Sequence, residues 1–450
     1  MKLFSILIAV AALLAIFVLS PSLAQSAGPS AAPTAPVTVH NLPPLGSNQA
    51  FDPQKAVASY LSGIGGAARA RSDAYFEGGY VLIAVDALYA VAVSALLLWL
   101  KISSRMRGLA QRLSPSRFWQ VPIYAVQYLA VTALLTLPLT IYEGFFREQA
   151  YGLMNQTFLQ WLGDQETSFT LTLIGGVVVL TLIYAAIRRS TRTWWLWGTG
   201  IAIAAMAFVM LIGPIFVQPL FNRYTPLPDT PLKAAILSAA RANDIPADNV
   251  YLVDASRQSD RISANVSGFL GTLRISLNDN LLHKATKDEV LAVLGHEMGH
   301  YVLDHGTRLL LLYSLVFAAA FAFVKWGYGR LTGVFGESWD VRTIDDPAGL
   351  PVLAALATLF FFVAMPVTNW ISRSTEIQAD MFGLNAVRKP DAFSTVVLKL
   401  SAYRRLDPSP WEETIFYDHP SGRTRIWEAM RWKAEHLNDP DIKAGPQSPQ

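Results

Sequence analysis

Cysteine is absent from the 450-residue chain, which excludes disulfides, thiolate metal ligands and a cysteine nucleophile. Any metal site must therefore be built from nitrogen and oxygen. Charge is scarce too. Asp, Glu, Lys and Arg make up 15% of the residues, against about 25% in a soluble globular protein. Hydrophobic residues supply 52%, so much of the surface must face lipid. The formal net charge of +3 is small, and no Lys/Arg run interleaves with aromatics, which excludes nucleic acid as a partner. No internal repeat is present.

Long apolar runs are what the chain has in place of charge. Residues 1–24 begin at Lys2, run apolar from Leu3 to Leu19 and end in Ser22-Leu23-Ala24. That is the pattern of a cleaved signal peptide, with a retained first membrane helix as the competing reading. Residues 25–78 read as an Ala/Pro-rich linker and pre-membrane segment, extended over 25–50. Six further stretches are long enough to span a bilayer: approximately 80–100, 120–141, 171–187, 195–218, 309–327 and 350–368. They divide the chain into a four-helix membrane domain (79–218), a polar block (219–308), a membrane hairpin (309–370), a second polar block (371–435) and a polar tail (436–450). Asp86 lies inside the first span, where a carboxyl must find a partner; a packing or gating role suits it. The loops 101–118 and 188–192 are basic, and the positive-inside rule puts both in the cytoplasm and the polar blocks outside it.

The first polar block contains Leu294-Gly295-His296-Glu297-Met298-Gly299-His300, an H-E-x-x-H motif. Thr286 and Glu289 form a capping box just before it, and Val290, Leu291, Val293 and Leu294 give an apolar helical face. On a helix, His296 and His300 project from one side and can share a metal ion. Glu297 then lies where a carboxylate can reach a zinc-bound water and take its proton. With 7 histidines and 33 acids, chance placement yields roughly 0.01 such matches. The bland alternative is a surface helix that happens to carry these residues.

A catalytic zinc needs a third protein ligand and an open position. His305 follows His300 too closely and reads as a helix-end residue off the ligand face. The best candidate segment is Ser372-Arg373-Ser374-Thr375-Glu376-Ile377-Gln378-Ala379-Asp380. Glu376 and Asp380 share a helical face, so that one carboxylate could bind zinc while the other accepts a proton from a ligand histidine. An exposed helix with an Arg373–Glu376 ion pair is the competing reading.

These residues carry a family resemblance. The chain resembles the integral-membrane CAAX prenyl proteases, zinc peptidases that trim proteins ending in a lipidated cysteine, and the related bacterial heat-shock membrane peptidases. The likeness spans about residues 80–435 and rests on several segments. These are Tyr142-Glu143-Gly144-Phe145-Phe146 with Tyr151-Gly152-Leu153-Met154-Asn155-Gln156, Pro219 to Leu227, the H-E-x-x-H motif, Glu376-x-x-x-Asp380, and His419-Pro420 with Arg425-Ile426. It implies that Glu376 is the third zinc ligand, that Asp380 orients a ligand with Arg373 beside it, and that His419 and Arg425 contact the substrate or the oxyanion near zinc. It also implies that the edge strand within 262–268 holds substrate backbone, at Asn265 and Gly268. A short hairpin of 262–268 with 273–277 is expected from the residues themselves. In that family one more membrane helix than the six counted here helps to enclose a chamber, and the zinc domain opens toward the cytosol, against the loop charges.

The expected architecture is mainly α: a multi-pass helical membrane protein with a zincin-like metallopeptidase domain containing a small β-sheet. The expected activity is a zinc metalloendopeptidase with one Zn2+ per chain, acting on membrane-associated or lipid-modified polypeptides in a bacterial inner membrane, with lipid as its other partner. Quality control of membrane proteins is a second reading. A non-catalytic zinc scaffold is a third, which the carboxylate of Glu297 disfavours; few charges in the spans speak against a transporter.

Overall fold

The structure, a computed structural model, describes residues 51–268, 273–401 and 403–443. The signal-peptide reading of 1–24 and most of the linker and tail readings fall outside these residues. Among the described residues, six helices are long and apolar enough to cross a membrane, by length and composition. We number the helices α1 (Pro53–Ser62), α2 (Gly66–Trp99), α3 (Ile102–Leu113), α4 (Arg117–Ile141), α5 (Phe158–Arg189), α6 (Trp194–Ile212), α7 (Pro231–Ala242), α8 (Asp279–Lys284), α9 (Lys287–Val302), α10 (His305–Trp339), α11 (Leu350–Val387), α12 (Pro390–Leu400), α13 (Pro410–Phe416) and α14 (Gly422–Glu435). Leu134, Ile174, Leu315 and Val363, on four different spans, are each more than half exposed. In water that would be costly; in a bilayer it is the expected lipid face.

The spans are longer than their apolar cores. α2 starts at Gly66, well before the hydropathy does, because its polar first turns are held by other elements. Arg405 Nη1 lies 2.6 Å from Glu77, Arg69 lies 3.5 Å from Asp407, and Arg71 donates to the Ala150 carbonyl at 3.2 Å. α4 carries Pro138, which cannot donate a backbone hydrogen bond, and the helix continues into a π-helical turn at Tyr142–Arg147. Glu143 of that turn is a neighbour of the Asp86 carboxyl.

The two polar blocks meet at one end of the bundle. Arg261 pairs there with Glu148 at 2.7 Å, and Gln258 donates to Asp164 at 2.8 Å. The two basic loops lie together at the opposite end. Arg107 of α3 is buried between Asp346 (2.5 Å) and Asp340 (2.6 Å), and Arg188 donates to the Arg117 carbonyl at 2.5 Å.

A four-stranded sheet fills the first block, with order β1-β2-β4-β3: β1 (Tyr224–Pro226), β2 (Val250–Val253), β3 (Ala264–Ser267) and β4 (Arg274–Asn278). β2 and β4 are parallel; the other pairs are antiparallel, including the expected β3–β4 pairing, in which Asn265 opposes Ser276. β3 lies at the sheet edge against α9. Ile236, Ile275, Leu277, Leu281, Leu294 and Met298 are fully buried between the sheet and α9. α1 docks on the second block, where the Tyr60 hydroxyl and the Lys433 ammonium both donate to the buried Asp391.

Candidate metal centre

α9 begins as the capping box predicts. The Thr286 side chain accepts from the Glu289 backbone, and Glu289 accepts from the Thr286 backbone at 2.7 Å. Glu289 also takes Lys399 of α12 at 2.6 Å, which locks the start of the metal helix to the second block. α9 then crosses α11 at glycines. A Cβ on Gly383 would lie 2.7 Å from the His296 nitrogen, and one on Gly299 3.0 Å from the Ala379 Cα. This contact of backbone on backbone is what brings a residue near 300 onto one near 376.

Three side chains converge there. His296 Nε2 lies 3.1 Å from His300 Nε2 and 3.3 Å from Glu376 Oε2, and His300 Nε2 lies 3.5 Å from Glu376 Oε1. A tetrahedral zinc with ligands at about 2.0–2.1 Å has ligand–ligand edges of about 3.3 Å. The triangle therefore fits that ion. Glu376 Oε2 is buried without a hydrogen-bond partner among the described residues, a cost that a cation removes.

The hydrogen bonds behind the triangle turn both imidazoles with Nε2 inward. His296 donates from Nδ1 to Asp380 Oδ1 at 2.7 Å. Arg425, buried, holds Asp380 from behind with Nε at 2.8 Å and Nη2 at 2.6 Å. Arg425 thus sits on the Nδ1 side of His296, with Nη2 3.5 Å from that nitrogen. Its guanidinium is bonded to Asp380 while it also lines the cavity beside His419. Arg373 does not pair with Glu376. Its Nη1 donates to the carbonyls of Glu413 (2.7 Å), Thr414 (3.3 Å) and Tyr417, and so fastens the segment leading to His419.

His305 is more than a helix end. α9 stops at Val302, Asp304 takes a left-handed conformation (φ 48°), and His305 opens α10. The reversal returns its buried ring to His300, with Nδ1 to Nδ1 at 3.0 Å. His300 with its Nε2 on the metal side donates from Nδ1 to His305, which donates from Nε2 to Gln378 Oε1 at 3.2 Å. Arg308 also donates to Gln378. Each of the two histidines therefore has its own hydrogen-bond acceptor behind the ring, as metal-holding histidines usually do.

Electrostatics separates the roles further. Burial pushes the Glu297 carboxyl up to about 7, against the lowering effect of His296; its carboxylate makes no hydrogen bond among the described residues. Burial and the His296 charge bring His300 down to about 4, which keeps its ring neutral and free to ligate. Burial lowers His296 as well, but the hydrogen bond and charge of Asp380 carry it up to about 10. His419 reaches the same centre, its Nε2 3.4 Å from Glu376 Oε2 and its Nδ1 2.9 Å from Asp418.

On the sheet edge, Asn265 Oδ1 is buried with no partner among the described residues. Gly268 ends β3 with φ 134°, a conformation that only glycine adopts readily.

Two histidines and a glutamate on crossing helices, with a second glutamate beside them in a membrane bundle, define a membrane metalloprotease. Comparison with known proteins makes this specific. Residues 226–433 match the model of peptidase family M48, and residues 68–223 match the CAAX prenyl protease N-terminal model, described as five membrane helices. The latter range holds four long apolar helices and the short α3. The uncharacterized metalloprotease YhfN of Bacillus subtilis is 30% identical over 332 residues, 73% of this chain and 78% of that protein. CAAX prenyl protease 1 of Saccharomyces cerevisiae is 26% identical, covering 66% of this chain and 69% of that one. The crystal structure of S. mikatae Ste24p superposes with a TM-score of 0.68 at 22% identity, over 82% of this chain and 89% of that chain, and shares the fold. The chain belongs to peptidase family M48 and is a multi-pass membrane metalloprotease.

Proposed function

We propose that the chain is a zinc-dependent endopeptidase that cuts membrane-associated polypeptides, including lipid-modified ones of the CAAX kind. The triangle of His296, His300 and Glu376, with edges of 3.1, 3.3 and 3.5 Å, is the observation that carries the choice of zinc. When bound, zinc would lower the pKa of a water and polarise a peptide carbonyl. His296, His300 and Glu376 would hold it, with Asp380 and His305 keeping the two rings in the required tautomer. Glu297, free of other hydrogen bonds, accepts the proton of the attacking water and delivers it to the leaving amine. His419 presents a donor beside Glu376, 3.4 Å from its Oε2, suited to the oxyanion of the tetrahedral transition state.

β3 supplies the substrate track. A peptide added to its outer edge is held by main-chain hydrogen bonds with little demand on sequence, and the unpartnered Asn265 amide oxygen can accept from its backbone. Recognition of this kind also suits damaged, unmodified membrane proteins. The relatives named CAAX prenyl protease 1 favour the lipid-modified class. Purified protein in nanodiscs, offered one reporter peptide with and without a C-terminal farnesyl-cysteine motif, tests the choice. Faster cleavage of the lipidated form, abolished by chelation, is expected. Equal rates on both forms would assign the chain to general membrane-protein cleavage instead.

A further inference from the structure

A cavity beside the metal centre holds a guanidinium that the mechanism does not use. It is lined by Val397, Leu400, Arg404, Leu406, Tyr417 and His419 among others, so it adjoins the centre through His419. Three arginines reach it, and two are committed. Arg425 is bidentate to Asp380, and Arg405 takes Glu77 at 2.6 Å and Glu412 at 2.9 Å. Arg404, half-buried on the segment between α12 and α13, makes no hydrogen bond or ion pair among the described residues.

The acids around it cannot relax onto it cheaply. Asp418 accepts from His419 at 2.9 Å, Glu376 belongs to the metal triangle, and Glu412 is held by Arg405 and the Ser409 cap. A half-buried cation facing a mostly apolar cavity is costly unless an anion meets it. Burial and the neighbouring Arg425 charge lower the pKa of Arg404 against the opposing pull of Tyr403, Asp418 and Glu376, none of which pairs with it directly.

We infer that Arg404 is a specificity residue that binds a carboxylate of the peptide substrate while an apolar side chain of the same residue fills the wall of Val397, Leu400 and Leu406. A planar guanidinium fits a carboxylate in two-point fashion. Peptides offer two such sources, the C-terminal carboxylate and the side chain of Asp or Glu; the apolar wall suits the former. The inference rests on the peptidase reading above.

Binding separates it from that reading. In the Glu297→Gln background, the affinity of one fluorescent peptide is measured by anisotropy in three forms: free C-terminal acid, C-terminal amide, and amide with Glu as the last residue. A hydrogen-bonded charge pair corresponds to roughly tenfold to hundredfold in affinity, so the acid should bind at least tenfold more tightly than the amide. Adding Arg404→Leu should bring that ratio near one, and Arg404→Lys should leave it intermediate. Restored affinity with the Glu amide would place the recognised carboxylate on a side chain. Equal binding of acid and amide, or a ratio that survives Arg404→Leu, overturns the assignment. The parent protein's failure to cleave any form would count against the peptidase reading and leave the binding ratio to decide Arg404.

Discussion

Gly383→Ala should disable the metal centre without touching any polar group in it. The added Cβ would lie 2.7 Å from the His296 nitrogen, 2.9 Å from the Gly295 carbonyl carbon and 3.2 Å from the His296 Cα. All three are backbone atoms, so no side chain can turn away. Relief to a carbon contact of about 3.5 Å requires α9 and α11 to part by roughly 0.7 Å. Glu376 lies two turns earlier on α11. Carried to it rigidly, the shift takes the 3.3 Å separation of His296 Nε2 and Glu376 Oε2 toward about 4 Å, beyond the edge of about 3.3 Å that a tetrahedral zinc imposes. Overpacking of this kind costs about 1–3 kcal/mol, and a misplacement near 1 Å costs on the order of 10²-fold in rate. The assay is kcat/KM on a membrane-tethered reporter peptide, with zinc retention against a chelator and thermal unfolding on the same samples. Gly329→Ala, on α10 with nothing within 4 Å of its added Cβ, is the control and should match the parent. Gly383→Ala with parental zinc retention and kcat/KM within about twofold would refute the crossing-helix account.

Other outcomes follow from the same geometry. His305→Leu should weaken zinc affinity by about 10- to 100-fold with little change in the unfolding temperature of the metal-free chain, and His305→Gln, which restores an acceptor for His300, should recover part of it; parental affinity in the leucine variant would contradict the orienting role. Glu297 must be deprotonated to accept a proton, and burial holds its carboxyl at about 7. A nearby cation favours the carboxylate, so kcat/KM should lose about tenfold per pH unit below a midpoint at or under about 7, and a midpoint well above 7 would be inconsistent with this base. Reporter enzymes inserted between Arg112 and Arg117 and fused after Lys443 should be active on opposite sides of the membrane, since these positions lie at opposite ends of the spans; activity on one side would contradict the six-span frame.

Much of this was legible in the residues, for identifiable reasons. The i, i+4 spacing of His296 and His300 forces both rings to one face of any helix, and the capping box marked where that helix starts. The six spans stood out because an apolar core is a local property. Their polar extensions did not, because the first turns of α2 are stabilised by Arg405 and Asp407, more than 300 residues away in sequence. His305 does stand at a helix end and outside the metal triangle; its contact with His300 is not legible, because the left-handed Asp304 reverses the chain and nothing but an Asp-His pair announces it. The Asp380 partner of Arg425 could not be read either, since an arginine's partner is a tertiary fact. Gly295-x-x-x-Gly299 on the metal helix, facing Ala379 and Gly383, is a spacing of small residues that permits close helix crossing and is present in the sequence itself.

The central claim is that His296, His300 and Glu376 hold one zinc for which Glu297 is the base. Metal content and peptide cleavage of Glu297→Gln, measured on one preparation beside the parent, test it most directly. The account predicts about one zinc per chain in both, with cleavage lost in the variant alone by several orders of magnitude. Parental cleavage by a zinc-loaded Glu297→Gln protein would contradict it.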